Sequence, residues 1–256
     1  MIDKIKYITS KKSFHICMTI IIIAVILFAS GIMILKYQVE GETNMPFYIT
    51  KITLISTSDG VDKNQEGEAT NWAFDINQNN DIYIYLEKND NYKEEEAIRS
   101  IIIDGINIQR NKELGTVKFY RPNISETGGN FSNTKENEIQ SIQFNGGLES
   151  DIKNLVIGNQ GGVIFFRYAN NGVAEYTSDV AITNTITTNQ LLKSANVNEE
   201  DLKSKLVFDL TITTEEGKEY KANISLDLPV EGVVENGTAS REITNLDDIV
   251  FKRTKN

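Results

Sequence analysis

Four oxygen-bearing side chains, Asp75, Asn77, Asn79 and Asp81, fall at every second position of one short stretch. Asp59, Asp62, Asn64 and Glu66 form a looser set ahead of them. Calcium takes about six to eight oxygen ligands, and alternate residues of a loop can converge on one ion. The tighter set lacks the sixth-position glycine and the twelfth-position glutamate that complete such a loop. A hairpin turn around Gln78-Asn79-Asn80 is therefore the expected structure, with Ca2+ as the alternative use of these oxygens. No other cofactor is expected.

Acid–base chemistry has raw material in 36 acidic residues. A glycosidase needs two carboxyls facing each other about 5–9 Å apart. Sugar sites often add an aromatic platform. Trp72, the single Trp, is expected to pack beside Phe74 instead. Tyr83 and Tyr85 share one strand face opposite Ile82, Ile84 and Leu86, an outward aromatic pair that a ligand could touch. Glu94-Glu95-Glu96 reads as the solvated face of a short helix. One His and one Cys exclude more chemistry than they offer. His15 alone supports neither a Ser-His-Asp triad in the rest of the chain nor a multi-His metal site. Cys17 alone supports no disulfide framework. No P-loop, GxSxG or dinucleotide fingerprint occurs, and no catalytic residue is assigned.

The charge is lopsided. The chain has 26 basic and 36 acidic residues, a formal charge of −10. Residues 1–36 hold five lysines and one acid, Asp3, so residues 37–256 hold 21 basic and 35 acidic residues. An acidic body repels phosphate backbones, and nucleic acid is excluded as an expected partner. A local basic patch formed in three dimensions is still compatible with this balance.

The element that must place the body is residues 14–35, 22 residues without Asp, Glu, Lys or Arg. As a helix at about 1.5 Å per residue they span roughly 33 Å, enough for a hydrocarbon core of about 30 Å. Lys4, Lys6, Lys11 and Lys12 precede the segment; Glu40 and Glu42 follow it. The positive side stays in the cytoplasm. The expectation is a cytoplasmic tip (1–13), a transmembrane helix (14–35) in contact with lipid, a tether (36–45) and an extracellular body (46–256). A cleaved signal peptide would place Ala29-Ser30-Gly31 at the cut, but Ile32-Met33-Ile34-Leu35 prolongs the apolar run past it.

The body reads as strands. β-branched and aromatic runs lie between Asn-, Asp- and Gly-rich breaks. Hairpins are expected over 155–166 and around Asn171-Gly172 in 167–176. Ile103-Asp104-Gly105-Ile106 suits a tight turn or a bulge. The clearest pair is 205–228. Leu206, Phe208, Leu210 and Ile212 alternate with polar or small neighbours, as do Tyr220, Ala222, Ile224, Leu226 and Leu228. Such period-two alternation buries one face and wets the other. Short helices are expected over 91–98 and, capped by Asn198, over 198–202. The fold class is mainly β: an antiparallel β-sandwich with short helices, preceded by one transmembrane helix, with a seam at 122–137.

The lysine-rich tip, the single anchor, the Val39-Glu40-Gly41-Glu42-Thr43-Asn44-Met45-Pro46 tether and the Asn-rich body together resemble uncharacterised anchored β-rich proteins of low-GC Gram-positive bacteria. That resemblance implies no activity. The expected function is a non-catalytic envelope module that binds or assembles with an unidentified envelope protein or glycan. The alternative is a hydrolase of surface carbohydrate.

Overall fold

The computed structural model describes residues 12–63, 72–123, 130–147, 155–178 and 190–255. The expected anchor corresponds to helix α1, Lys12–Thr43. Within it, His15–Ile34 is long and apolar enough to cross a membrane, and none of that stretch is buried against the body. Phe28 is 73% exposed, a cost in water that hydrocarbon removes. Past Ile34 the helix runs on to Thr43, so most of the expected tether is helical.

Eleven strands among the described residues form two sheets. They are β1 (Phe47–Asp62), β2 (Trp72–Lys88), β3 (Ile98–Arg110), β4 (Thr116–Tyr120), β5 (Ile142–Gly147), β6 (Val156–Gly158), β7 (Gly161–Ser178), β8 (Ser204–Thr214), β9 (Glu219–Asp227), β10 (Thr238–Ile243) and β11 (Lys252–Lys255). The first sheet has the order β10-β1-β2-β7-β4; the second has β11-β9-β8-β3-β5-β6. All neighbours are antiparallel except β5 and β6. Short helices α2 (Leu191–Ser194), α3 (Glu199–Leu202) and α4 (Val233–Asn236) fill connections.

Register explains the core. Leu54 pairs with Ile82 and Ile82 with Phe166, all fully or almost fully buried. In the second sheet Phe208 pairs with Ile224 and Leu210 with Ala222. The rings of Phe166 and Phe208 meet edge to face, 5.4 Å apart, and join the two sheets. Paired residues share a face and adjacent residues do not, so the apolar sides of both sheets close on each other. The expected 205–228 hairpin is present in the expected register. A smaller cluster, with Ile76, Val173, Leu192 and Val233, lies under α2 and α4. Among the described side chains of helix α1, none belongs to either cluster; the first begins at Met45.

Several local expectations are overturned, the strand cases by distant partners. Gln78-Asn79-Asn80 is no turn: β2 runs unbroken through it, paired on both sides with β1 and β7. Asn171-Gly172 is likewise no hairpin turn. Strand β7 continues past it, and the extra residues bulge out between the pairs Ile76–Ala174 and Gln78–Asn170. Gly172, at φ +68°, supplies the left-handed backbone, and its N–H donates to Asn77 Oδ1 at 2.8 Å. Residues 155–166 split between sheets, β6 joining β5 and β7 joining β2. At Ile103–Ile106 the bulge, one of the two expected forms, is what β3 adopts, with Gly105 at φ +60°. Residues 91–97 form no helix. Asn89 turns the chain there, its Oδ1 accepting from the Asn91 N–H at 3.0 Å. Helix α3 is present, but Asn198 caps it through its backbone carbonyl, which accepts from the Asp201 N–H at 3.1 Å.

Candidate functional site: a cation-lined cleft between the sheets

The oxygen-bearing stretch of β2 is spent on separate partners. Asp75 pairs with Lys63 at 2.9 Å. Asn77 takes the Gly172 N–H. Asn79 donates to Asp59 at 3.1 Å and accepts from Asn133 at 2.8 Å. Asp81 holds Arg167 through two hydrogen bonds of 2.6 and 3.0 Å. Asp75 and Asp81 lie six residues apart on one continuous strand, roughly 20 Å, too far for all four side chains to reach one ion whose oxygens sit at about 2.3–2.6 Å. Of the looser set, Asn64 and Glu66 lie outside the described residues.

Tyr83 does face away from the sandwich core. It stacks on Phe165, centroids 5.1 Å apart, and Phe131 from the expected seam meets Phe165 edge-on at 5.2 Å. Arg167 lies over the Phe131 ring at 4.5 Å. Residues 131–133 thus cover this face, and burial raises the Tyr83 pKa. Tyr85 carries Lys51 over its ring at 4.6 Å. The Trp72 side chain lies outside the described ones.

Glu94-Glu95-Glu96 is the largest departure. Its outer members close on Lys218, 122 residues away along the chain from Glu96. Lys218 Nζ lies 2.5 Å from Glu94, 2.5 Å from Glu96 and 3.2 Å from Glu216. The Glu96 side chain is fully buried. Burial opposes the charge on Lys218, but hydrogen bonds to Glu94, Glu96 and Glu216 outweigh it and raise the pKa. The Lys218 hydrogen bond holds Glu94 below its ordinary value. The three carboxylates are thus closed around an internal cation, beside Asn44 just past the end of helix α1.

The opposite ends of β3, β8 and β9 open a cleft of about 480 Å³, within the usual range of ligand pockets. Its walls include Arg110, Lys203, Ser204, Lys205, Asp227 and Arg241. Strand register aims three of them between the sheets. Ser204 starts the buried face that continues through Leu206 and Phe208. Arg110 pairs with Ser204, and Arg241 on β10 pairs with Leu54. Each arginine bridges the two sheets. Arg110 Nη1 donates to Leu114 O at 2.7 Å and to Asn170 Oδ1 on β7 at 3.4 Å. Arg241 Nη1 donates to Asp227 O on β9 at 3.3 Å. The Ser204 hydroxyl, on a residue only 9% exposed beside Arg110 in register, has no hydrogen-bond partner among the described residues. No sequence signal could have found this cleft, because its residues come from separate strands with no common spacing.

Comparison with known protein families, curated proteins and solved structures finds no match to any of them.

Proposed function

We propose that this protein is a membrane-anchored, outward-facing, non-catalytic binding module of a cell envelope, and that the cleft between its sheets receives the ligand. The observation that carries the reading is a cluster of cations around one cleft of an otherwise acidic body. Four lysines ahead of the apolar span, and acids after it, favour an outward body. The nine residues of β9, at about 3.3 Å each, put the cleft nearly 30 Å from the anchored end. That distance holds it clear of the lipid surface and accessible to envelope components. Binding is favoured over carbohydrate hydrolysis by the Lys218 cluster. A general acid needs a raised pKa, whereas Glu94 is held down and Glu96 is sealed from solvent.

The test is retention of envelope material by the full-length protein in neutral detergent. The wild type is compared with a Lys205→Gln/Arg241→Gln variant, and glycan hydrolysis is assayed in parallel. Loss of retention in the variant supports the cleft. Equal retention by both proteins removes it, and glycan turnover by the wild type would establish the hydrolase instead.

A further inference from the structure

We infer that the cleft binds a phosphoryl oxyanion, an inference that rests on the cleft being the ligand site. The argument starts from unspent donors. A guanidinium has five N–H groups, and among the described residues Arg110 and Arg241 each commit only Nη1 to protein oxygens. Those bonds fix the two guanidiniums across the mouth of the cleft. Ser204 adds a hydroxyl with no protein partner at a nearly buried position. Burying a hydroxyl without a hydrogen bond is costly, so a ligand oxygen there gains what the protein leaves unmade.

Charge selects the ligand further. Lys203 lines the cleft as well, but its charge is offset by Glu200 at 2.5 Å. Arg110, Lys205 and Arg241 against Asp227 leave a formal excess of two positive charges. Lys205 and Asp227 are direct cross-strand neighbours, so Asp227 offsets mainly that lysine. An excess of two suits a phosphate monoester, which carries about −1.5 to −2 near neutral pH. Geometry points the same way. A carboxylate is planar and offers two oxygens, whereas a phosphoryl group presents three acceptor oxygens in different directions. Donors arriving from both sheets and from the cleft floor match the second shape. The cleft lies at the end of β9 away from Asn44, so the phosphate comes from a soluble or polymeric source rather than from the headgroups around the anchor.

The test is calorimetric titration of the full-length protein in neutral detergent with inorganic phosphate, a soluble oligomer bearing phosphate monoesters, and acetate. Pelleting with phosphatidylglycerol vesicles is a fourth arm. Phosphate should bind saturably, more tightly than acetate, and more weakly as salt is added. Lys205→Gln/Arg241→Gln should weaken it about tenfold or more, the loss expected for charge-assisted hydrogen bonds. Ser204→Ala should weaken it by a smaller factor. Arg241 and Lys205 are exposed, and an unchanged circular dichroism spectrum confirms that the variants fold. Tighter binding of the oligomer assigns a polymeric source and equal binding a free phosphate. Vesicle pelleting abolished by the double substitution would assign a lipid headgroup. Acetate binding as tightly as phosphate, or no effect of the double substitution, overturns the inference. If envelope retention depends on Arg241 and Lys205 while no phosphate compound binds, the phosphoryl assignment falls and the cleft stands. If neither depends on them, both fall.

Discussion

Replacing Lys218 with Met keeps most of the side-chain volume and removes the charge that closes three carboxylates together. Glu94 and Glu216 are about 60% exposed or more and can turn to water, so their share of the loss is small. Glu96 cannot turn away, since its side chain is fully buried and its second oxygen already lacks a partner. Removing one partner of a buried ion pair costs about 3–5 kcal/mol. Lys218 is itself 12% exposed, which favours the lower end, about 3 kcal/mol. For a body of this size that corresponds to a melting temperature lower by roughly 6–12 °C. The wild-type cluster has a definite pH dependence. Glu94 has a lowered pKa, so its contribution is present above the ordinary carboxylate range and fades as pH falls through it. Lys218 has a raised pKa, so its contribution is complete below about pH 10.4, the unperturbed lysine value, and is lost only in stronger base. The penalty in Lys218→Met should therefore be largest near pH 7 and shrink as pH falls below the ordinary carboxylate range, where Glu94 loses its charge. Thermal melts of both proteins at several pH values measure this directly. Glu96→Gln in the same chain should recover part of the loss, giving a coupling energy of about 1–3 kcal/mol. A penalty that ignores pH, together with additive single and double substitutions, would refute the buried ion pair as the cause.

Phe208→Ala should cost about 3–5 kcal/mol in denaturant titration, because its ring is fully buried and meets Phe166 across the sheets. Thr211→Ala, half-buried on the opposite face, should cost within about 1 kcal/mol; equal losses would mean that both faces are sealed. Gly146→Ala should destabilise more than Gly172→Ala. A Cβ at 146 would sit 1.7 Å from the Ile98 carbonyl oxygen, whereas at 172 it meets nothing within 4 Å and only the positive φ resists it. That second cost is about 1–2 kcal/mol, and melting curves should rank the pair. Protease added to intact cells should remove residues beyond the span while a tag at the N-terminus stays protected. A reporter at Asn256 active only in the cytoplasm would reverse the orientation.

The hairpin of 205–228 was legible because everything that specifies it is local. Its period-two alternation assigns Phe208 and Ile224 to one face whatever lies beyond, and a short turn sets their register. The apolar span was legible for a similar reason, since length and composition alone decide whether a helix suits a hydrocarbon core. Turn-like segments misled. Asn-rich stretches at 78–80 and 170–172 favour turns in isolation, but β1 and β7 offer hydrogen bonds to a continuous strand, and this tertiary gain exceeds the local preference. Glu94-Glu95-Glu96 misled for want of a partner: a charge run reads as solvated until Lys218 is known to lie against it.

Alternation and hydropathy, both properties of neighbouring residues, determined a β-sandwich body behind one apolar helix. Which strands are neighbours, which carboxylates share a cation, and that Arg110, Ser204 and Arg241 line one cleft were decided only by tertiary structure. Arg110, Ser204 and Arg241 lie 37 to 131 positions apart in the chain. Short-range pattern contains no term for pairs so distant; packing the two sheets face to face brings them within reach.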